Sequence, residues 1–184
     1  GKLISLGSVI SECNYKANLQ KNAHPGLFSA LHEQAVIEST VSSNRIEGVE
    51  TSEKRAEDLL LRNDAPADHS EGEISGYRDA VVFISEHYDE LEISEKLIRQ
   101  LHGMLMHYSK AAAGEYKKTN NEISANYDDG KRETLFETVP QEETEEHMRR
   151  LVRAYHDAER DSEIDRMLLI PCFIVDFLAI HPFS

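Results

Sequence analysis

Apolar residues that recur every three or four positions, in one segment after another, constrain this chain more than any other feature. Ile74, Tyr77, Val81, Ile84 and Tyr88 form such a stripe. Leu97, Ile98, Leu101, Met104, Leu105 and Tyr108 form a second one after Ser94, a residue suited to capping a helix N-terminus. A third, Met148, Leu151, Val152 and Tyr155, follows Pro140 and the acidic "QEE", which favours the positive end of a helix dipole. A period near 3.6 residues means amphipathic helices that must cover their stripes against one another. The fold class expected is therefore mainly α, a helical bundle.

One segment departs from that period. In "NNEISANYDDGKRETLFETVP", Ile123, Ala125 and Tyr127 on one side and Thr134, Phe136 and Thr138 on the other have strand-like composition and rough alternation. Asp129-Gly130 between them predicts a hairpin with a type I′ turn. An isolated hairpin is marginal in water, so this one must lean on the helices or pair with something else. "LLLRNDAPADHSEGE", residues 59–73, carries Pro66, Asp residues and a Gly and reads as a loop. It divides an N-terminal helical region, 1–65, from a core, 66–184.

With 184 residues, 40% apolar and 29% charged, the chain has the composition of an ordinary soluble globular protein. A net charge of −14 argues against a general nucleic-acid surface, whose affinity comes from Lys and Arg displacing counterions. A small anionic ligand such as a nucleotide stays compatible with it. Cys13 and Cys172 stand in different contexts; Cys172, in an apolar run, is expected to be a buried free thiol, in keeping with a reducing, cytoplasmic compartment. The longest apolar run, Met167 to Ile180, is too short for a bilayer and contains Pro171 and Asp176, so it is expected to be a core helix, with no membrane partner. Gly1 has the look of a residue left by tag removal, and no signal peptide is visible.

That apolar run leads into His181-Pro182-Phe183. Pro182 disfavours the α region for His181, so the helix should end near Ile180. His181 then stands at the helix exit, with Phe183 anchoring the turn in the core. An imidazole on a rigid support, with an ordinary pKa near ~6.5, suits a general base. The structural alternative is a histidine that only caps the helix. Earlier in the chain, "SSNRIEG" places Ser43 and Glu47 one turn apart on a helix expected over residues 27–46, with Gly48 as its C-terminal stop. A carboxylate at that end opposes the dipole and favours a cationic partner elsewhere. The alternative is a solvated Glu before a Gly cap.

Together these elements resemble the Fic family (filamentation induced by cAMP), nucleotidyltransferases that usually attach AMP to protein hydroxyls. The family motif starts His-Pro-Phe, then any residue, Asp or Glu, Gly-Asn-Gly-Arg and a second Arg. This sequence matches through Ser184. "SSNRIEG" resembles the family's inhibitory helix, Ser/Thr, three residues, Glu, Gly/Asn, placed ahead of the core. "EISGYRDAVVFI", "ISEKLIRQLHGMLM", "GEYKKTNNEIS" and "LFETVPQEETEEHMRRL" look like successive family helices and the two sides of its flap hairpin.

The resemblance implies that His181 takes a proton from a target Ser, Thr or Tyr hydroxyl as it attacks ATP, with Pro182 and Phe183 supporting the histidine. ATP and Mg²⁺ are expected, their ligands lying beyond Ser184, so the sequence reads as an excised region of a longer protein and 1–184 is expected to be inactive alone. Glu47, supported by Ser43 and Gly48, would restrain activity by pairing with the second motif arginine. The flap, with Asn126, Tyr127, Asp128, Asp129, Gly130 and Phe136, would dock the target protein. A homodimer is left open.

Two other classes stand beside this reading. One is a non-catalytic helical regulatory module with a purely structural His-Pro-Phe turn. The other is a Fic-type enzyme that removes AMP or transfers another phosphate-bearing group. A metal site is not expected within this sequence: His102 and His107 are five apart and point to different helix faces, and "DDGK" lacks the ligand repeat of a calcium loop.

Overall fold

A computed structural model describes residues 2–46, 52–62, 64–109, 113–127 and 130–183. Their order is α1 (Lys2–Ala23), α2 (Pro25–Ile46), α3 (Glu53–Leu61), α4 (His69–His87), α5 (Glu95–Leu105), β1 (Glu122–Asn126), β2 (Arg132–Glu137), a 3₁₀ turn (Gln141–Glu143), α6 (Thr144–Arg160) and α7 (Arg166–Ile180). The mainly helical fold follows from the repeated apolar stripes, and the small hairpin from the one segment that departs from their period. Among the described residues, no helix is long and apolar enough to cross a membrane.

The chain divides into two compact units, residues 1–81 and 82–184. In the first, α2 runs over the expected span, and Leu59, Ile74 and Thr40 are fully buried. The loop expected over 59–73 is shorter than its composition suggested, because helix caps trim it from both sides. Ser52 caps α3, accepting the Arg55 amide at 3.2 Å, and that helix continues to Leu61. Asp68 accepts the Glu71 amide at 2.9 Å and starts α4 at His69. The connection is tied by Arg55, whose guanidinium donates two bonds of 2.7 Å to Glu71 and one of 3.2 Å to Asp64. The bidentate bond from Arg55, helped by the Ala67 amide, holds the Glu71 carboxyl down at about 2.

The second unit is built on Met148 and Leu151 of α6 and Ile180 of α7, against which Ile98, Tyr116, Val139, Phe173 and Phe177 pack. Ser94 caps α5 as expected, accepting the Leu97 amide at 3.1 Å. Two expectations for the apolar run 167–180 need correction. It is a helix, but only one face is covered: Leu169 and Ile180 are buried, whereas Ile170 and Val175 are 63% and 65% exposed. Cys172 lies on the uncovered side and is exposed, not buried. A helix apolar on every face carries no period from which its covered side could be read.

Strands β1 and β2 pair antiparallel, with Ile123 opposite Phe136 and Asn126 opposite Arg132. The register shifts after Ile123, so Leu135 is an extra residue on β2, a β-bulge. The turn expected at Asp129-Gly130 lies partly outside the described residues, which take up again at Gly130. The Gly130 amide bonds the Tyr127 carbonyl at 2.9 Å, the Tyr127 amide bonds the Lys131 carbonyl at 2.9 Å, and Gly130 has φ +81°. Gly130 thus takes a left-handed conformation that glycine adopts without steric cost.

Candidate functional site

Helix α7 ends at Ile180, as Pro182 requires. Its exit is left-handed: His181 has φ 47° and ψ 64°, and its amide still bonds the Phe177 carbonyl at 2.9 Å. A non-glycine residue in this region costs roughly 1–2 kcal/mol, so the surroundings must hold it there.

They do so through the peptide carbonyls, which two residues, Lys117 and Asn121, bind. Lys117 donates from Nζ to the Ile180 carbonyl at 3.0 Å and from its amide to the Pro182 carbonyl at 2.8 Å. Asn121 donates from Nδ2 to the His181 carbonyl at 3.3 Å and to the Phe183 carbonyl at 3.0 Å. Four consecutive carbonyls, 180 to 183, are thus tied to one segment. Lys117 is only 5% exposed, and burial lowers its pKa. Its ammonium also meets Asn121 Oδ1 at 2.7 Å and Thr138 Oγ1 at 2.9 Å, so its three protons have three acceptors.

The side chains of the turn are anchored as well. Pro182 is fully buried. Phe183 stacks on the His102 ring with centroids 3.8 Å apart and 4° between planes, and it also meets Tyr116 and Phe177. His102 is 7% exposed, its Nδ1 accepts the Gly114 amide at 3.0 Å, and burial lowers its pKa. Tyr116 donates to Glu95 at 3.3 Å; burial, reinforced by that carboxylate, raises its phenol well above the usual range.

Lys117, Asn121, Thr138, His102 and Gly114 were not among the residues expected at this site. "GEYKKTNNEIS" has no period, and nothing local separates Lys117 from Lys118, whose side chain is 78% exposed. For His102 a signal existed, since it follows Ile98 by four residues and so falls on the buried stripe of α5.

Of the other expected residues, Ser43 Oγ lies 3.3 Å from the Tyr77 hydroxyl, which also meets Ser39 Oγ at 3.1 Å, so Ser43 ties α2 to α4. Glu47, Gly48, Asp128 and Asp129 lie outside the described residues. Asn126 ends β1, the Tyr127 hydroxyl reaches Glu133 at 3.3 Å, and Phe136, on β2, is 45% exposed. Among the described residues, no group of three or more His, Cys, Asp or Glu side chains comes together as a metal site.

A family model described as the Fic/DOC family matches residues 92–184, half of the chain, including the whole His-Pro-Phe turn. The chain belongs to the Fic/DOC family. Among solved structures, a Fic domain-containing signaling protein from Bacteroides thetaiotaomicron is similar at a TM-score of 0.72 and 21% identity, over 86% of this chain and 60% of that one. A Fic family protein from Desulfovibrio desulfuricans is similar at a TM-score of 0.61 and 14% identity, over 83% of this chain and 44% of that one. The chain thus spans less than two thirds of these relatives' length, and the likeness to them is one of fold. No curated protein matches the sequence.

Proposed function

We propose that this Fic chain is the part of an AMP-transferring enzyme that carries the general base, and that the full-length protein moves AMP from ATP to a Ser, Thr or Tyr hydroxyl of a target protein. The observation that carries this reading is the mounting of His181. It stands in a left-handed exit whose flanking carbonyls are all bound, on a proline that is fully buried. Such a mounting fixes the backbone from which the imidazole projects, which lowers the ordering cost of placing a proton acceptor against a substrate. The hydroxyl proton passes to a His181 ring nitrogen, the hydroxyl oxygen forms a bond to the α-phosphorus, and the bond to pyrophosphate breaks. Mg²⁺, when bound, would neutralise phosphate charge.

The exposed edge of the hairpin offers main-chain groups to an extended target segment. Helix α2, through Glu47, would restrain the reaction in the full-length protein. The test is transfer of label from α-labelled ATP to protein. His181→Ala in the full-length protein is expected to abolish transfer, and equal transfer by that variant would overturn the role of His181.

A further inference from the structure

The groups that hold the His181 turn also close the base of the hairpin. Asn121 directly precedes β1, and Thr138 directly follows β2. The Thr138 hydroxyl lies 2.8 Å from the Asn121 carbonyl and 2.5 Å from its Oδ1, and it accepts from Lys117 Nζ at 2.9 Å. The Asn121 amide can take only one orientation here. Its oxygen faces two donors, Lys117 and Thr138, and its nitrogen faces two carbonyls, those of His181 and Phe183. All three acceptors of the buried ammonium are uncharged. What favours the cation at this spot is the C-terminal end of α7, where the helix dipole is negative and Ile180 presents a carbonyl. A buried charge with such partners is costly unless every bond is made, so the arrangement has one geometry.

We propose that Lys117, Asn121 and Thr138 form a clasp that locks the base of the flap hairpin to the His181 turn, so that a target held on the hairpin edge keeps a fixed register to the imidazole. The three are positioning residues, acting through backbone carbonyls and not on the substrate. This inference rests on the AMP-transfer reading for its catalytic consequence, while the clasp itself can be measured without it.

The decisive variant is Asn121→Asp in the full-length protein. Aspartate keeps the size of the side chain and the oxygen facing Lys117 and Thr138, but it sets an acceptor against the carbonyls of His181 and Phe183. The kcat for label transfer from α-labelled ATP to protein should fall about tenfold to a hundredfold, the cost of a small misplacement of reacting groups. KM for ATP should be unchanged, and the Lys117 amide, which bonds Pro182, should exchange its hydrogen faster. Thr138→Val, which removes the hydroxyl from the ammonium at constant shape, should act in the same direction and serves if Asn121→Asp does not fold. Lys118→Met, at the adjacent exposed lysine, should behave as wild type. A wild-type kcat in Asn121→Asp or, failing its folding, in Thr138→Val overturns the clasp. Should the wild-type protein transfer no label, the AMP-transfer reading has failed, and amide exchange alone decides: faster exchange at Lys117 supports the clasp and unchanged exchange overturns it.

Discussion

Acid should loosen the His181 turn through a different histidine. His102 is buried between the Gly114 amide, which donates to its Nδ1 at 3.0 Å, and the ring of Phe183. Protonation would place an N–H where an acceptor is required, and burial already disfavours the charged form. The folded protein therefore holds this ring neutral to lower pH than the unfolded chain does. Above the unfolded value of ~6.5 both states are neutral, and the full stability is present. As pH falls below it, the unfolded chain takes up a proton that the folded protein refuses, and stability declines until the lowered folded value is reached. One proton changes stability by at most about 1.4 kcal/mol per pH unit, so lowering pH from about 7.5 to 5.5 costs at most about 1.4 kcal/mol through this group. Urea unfolding at the two pH values, on wild type and His102→Gln, isolates the effect because the other histidines titrate in both proteins. Glutamine cannot titrate, so its stability should fall by less across the interval. An equal fall in the two proteins would refute the assignment of a neutral, acid-sensitive His102.

Three further outcomes are expected. Gly114→Ala should destabilise the protein by at least about 2 kcal/mol in urea unfolding, because Gly114 has φ +73° and an added Cβ would meet the Arg99 carbonyl oxygen at 2.8 Å; a loss under about 0.5 kcal/mol would contradict this geometry. Tyr77→Phe should cost about 1 kcal/mol and be non-additive with Ser43→Ala, since one hydroxyl contact is shared; strict additivity in a double-mutant cycle would show that the pair does not couple α2 to α4. Glu47→Gly in the full-length protein should raise label transfer roughly 5–150-fold, the range of an ordinary regulatory coupling, and an unchanged rate would remove the restraint assigned to α2.

What the sequence determined by itself was set by interactions between residues a few positions apart. The apolar period placed the helices, Ser94 capped α5, Pro182 ended α7 at Ile180, and the alternation on either side of Gly130 placed the two strands. Such signals reach about one helical turn, or one hairpin, and are legible wherever they occur. The covered side of α7, the exposure of Cys172 and the partners of the His181 turn were decided by the tertiary structure. The bond from Lys117 to Ile180 joins residues 63 apart, and that from Asn121 to Phe183 joins residues 62 apart. Lys117 and Lys118 are chemically identical neighbours, and only the packing of α7 against the loop makes one a buried cation at a helix end and leaves the other in water.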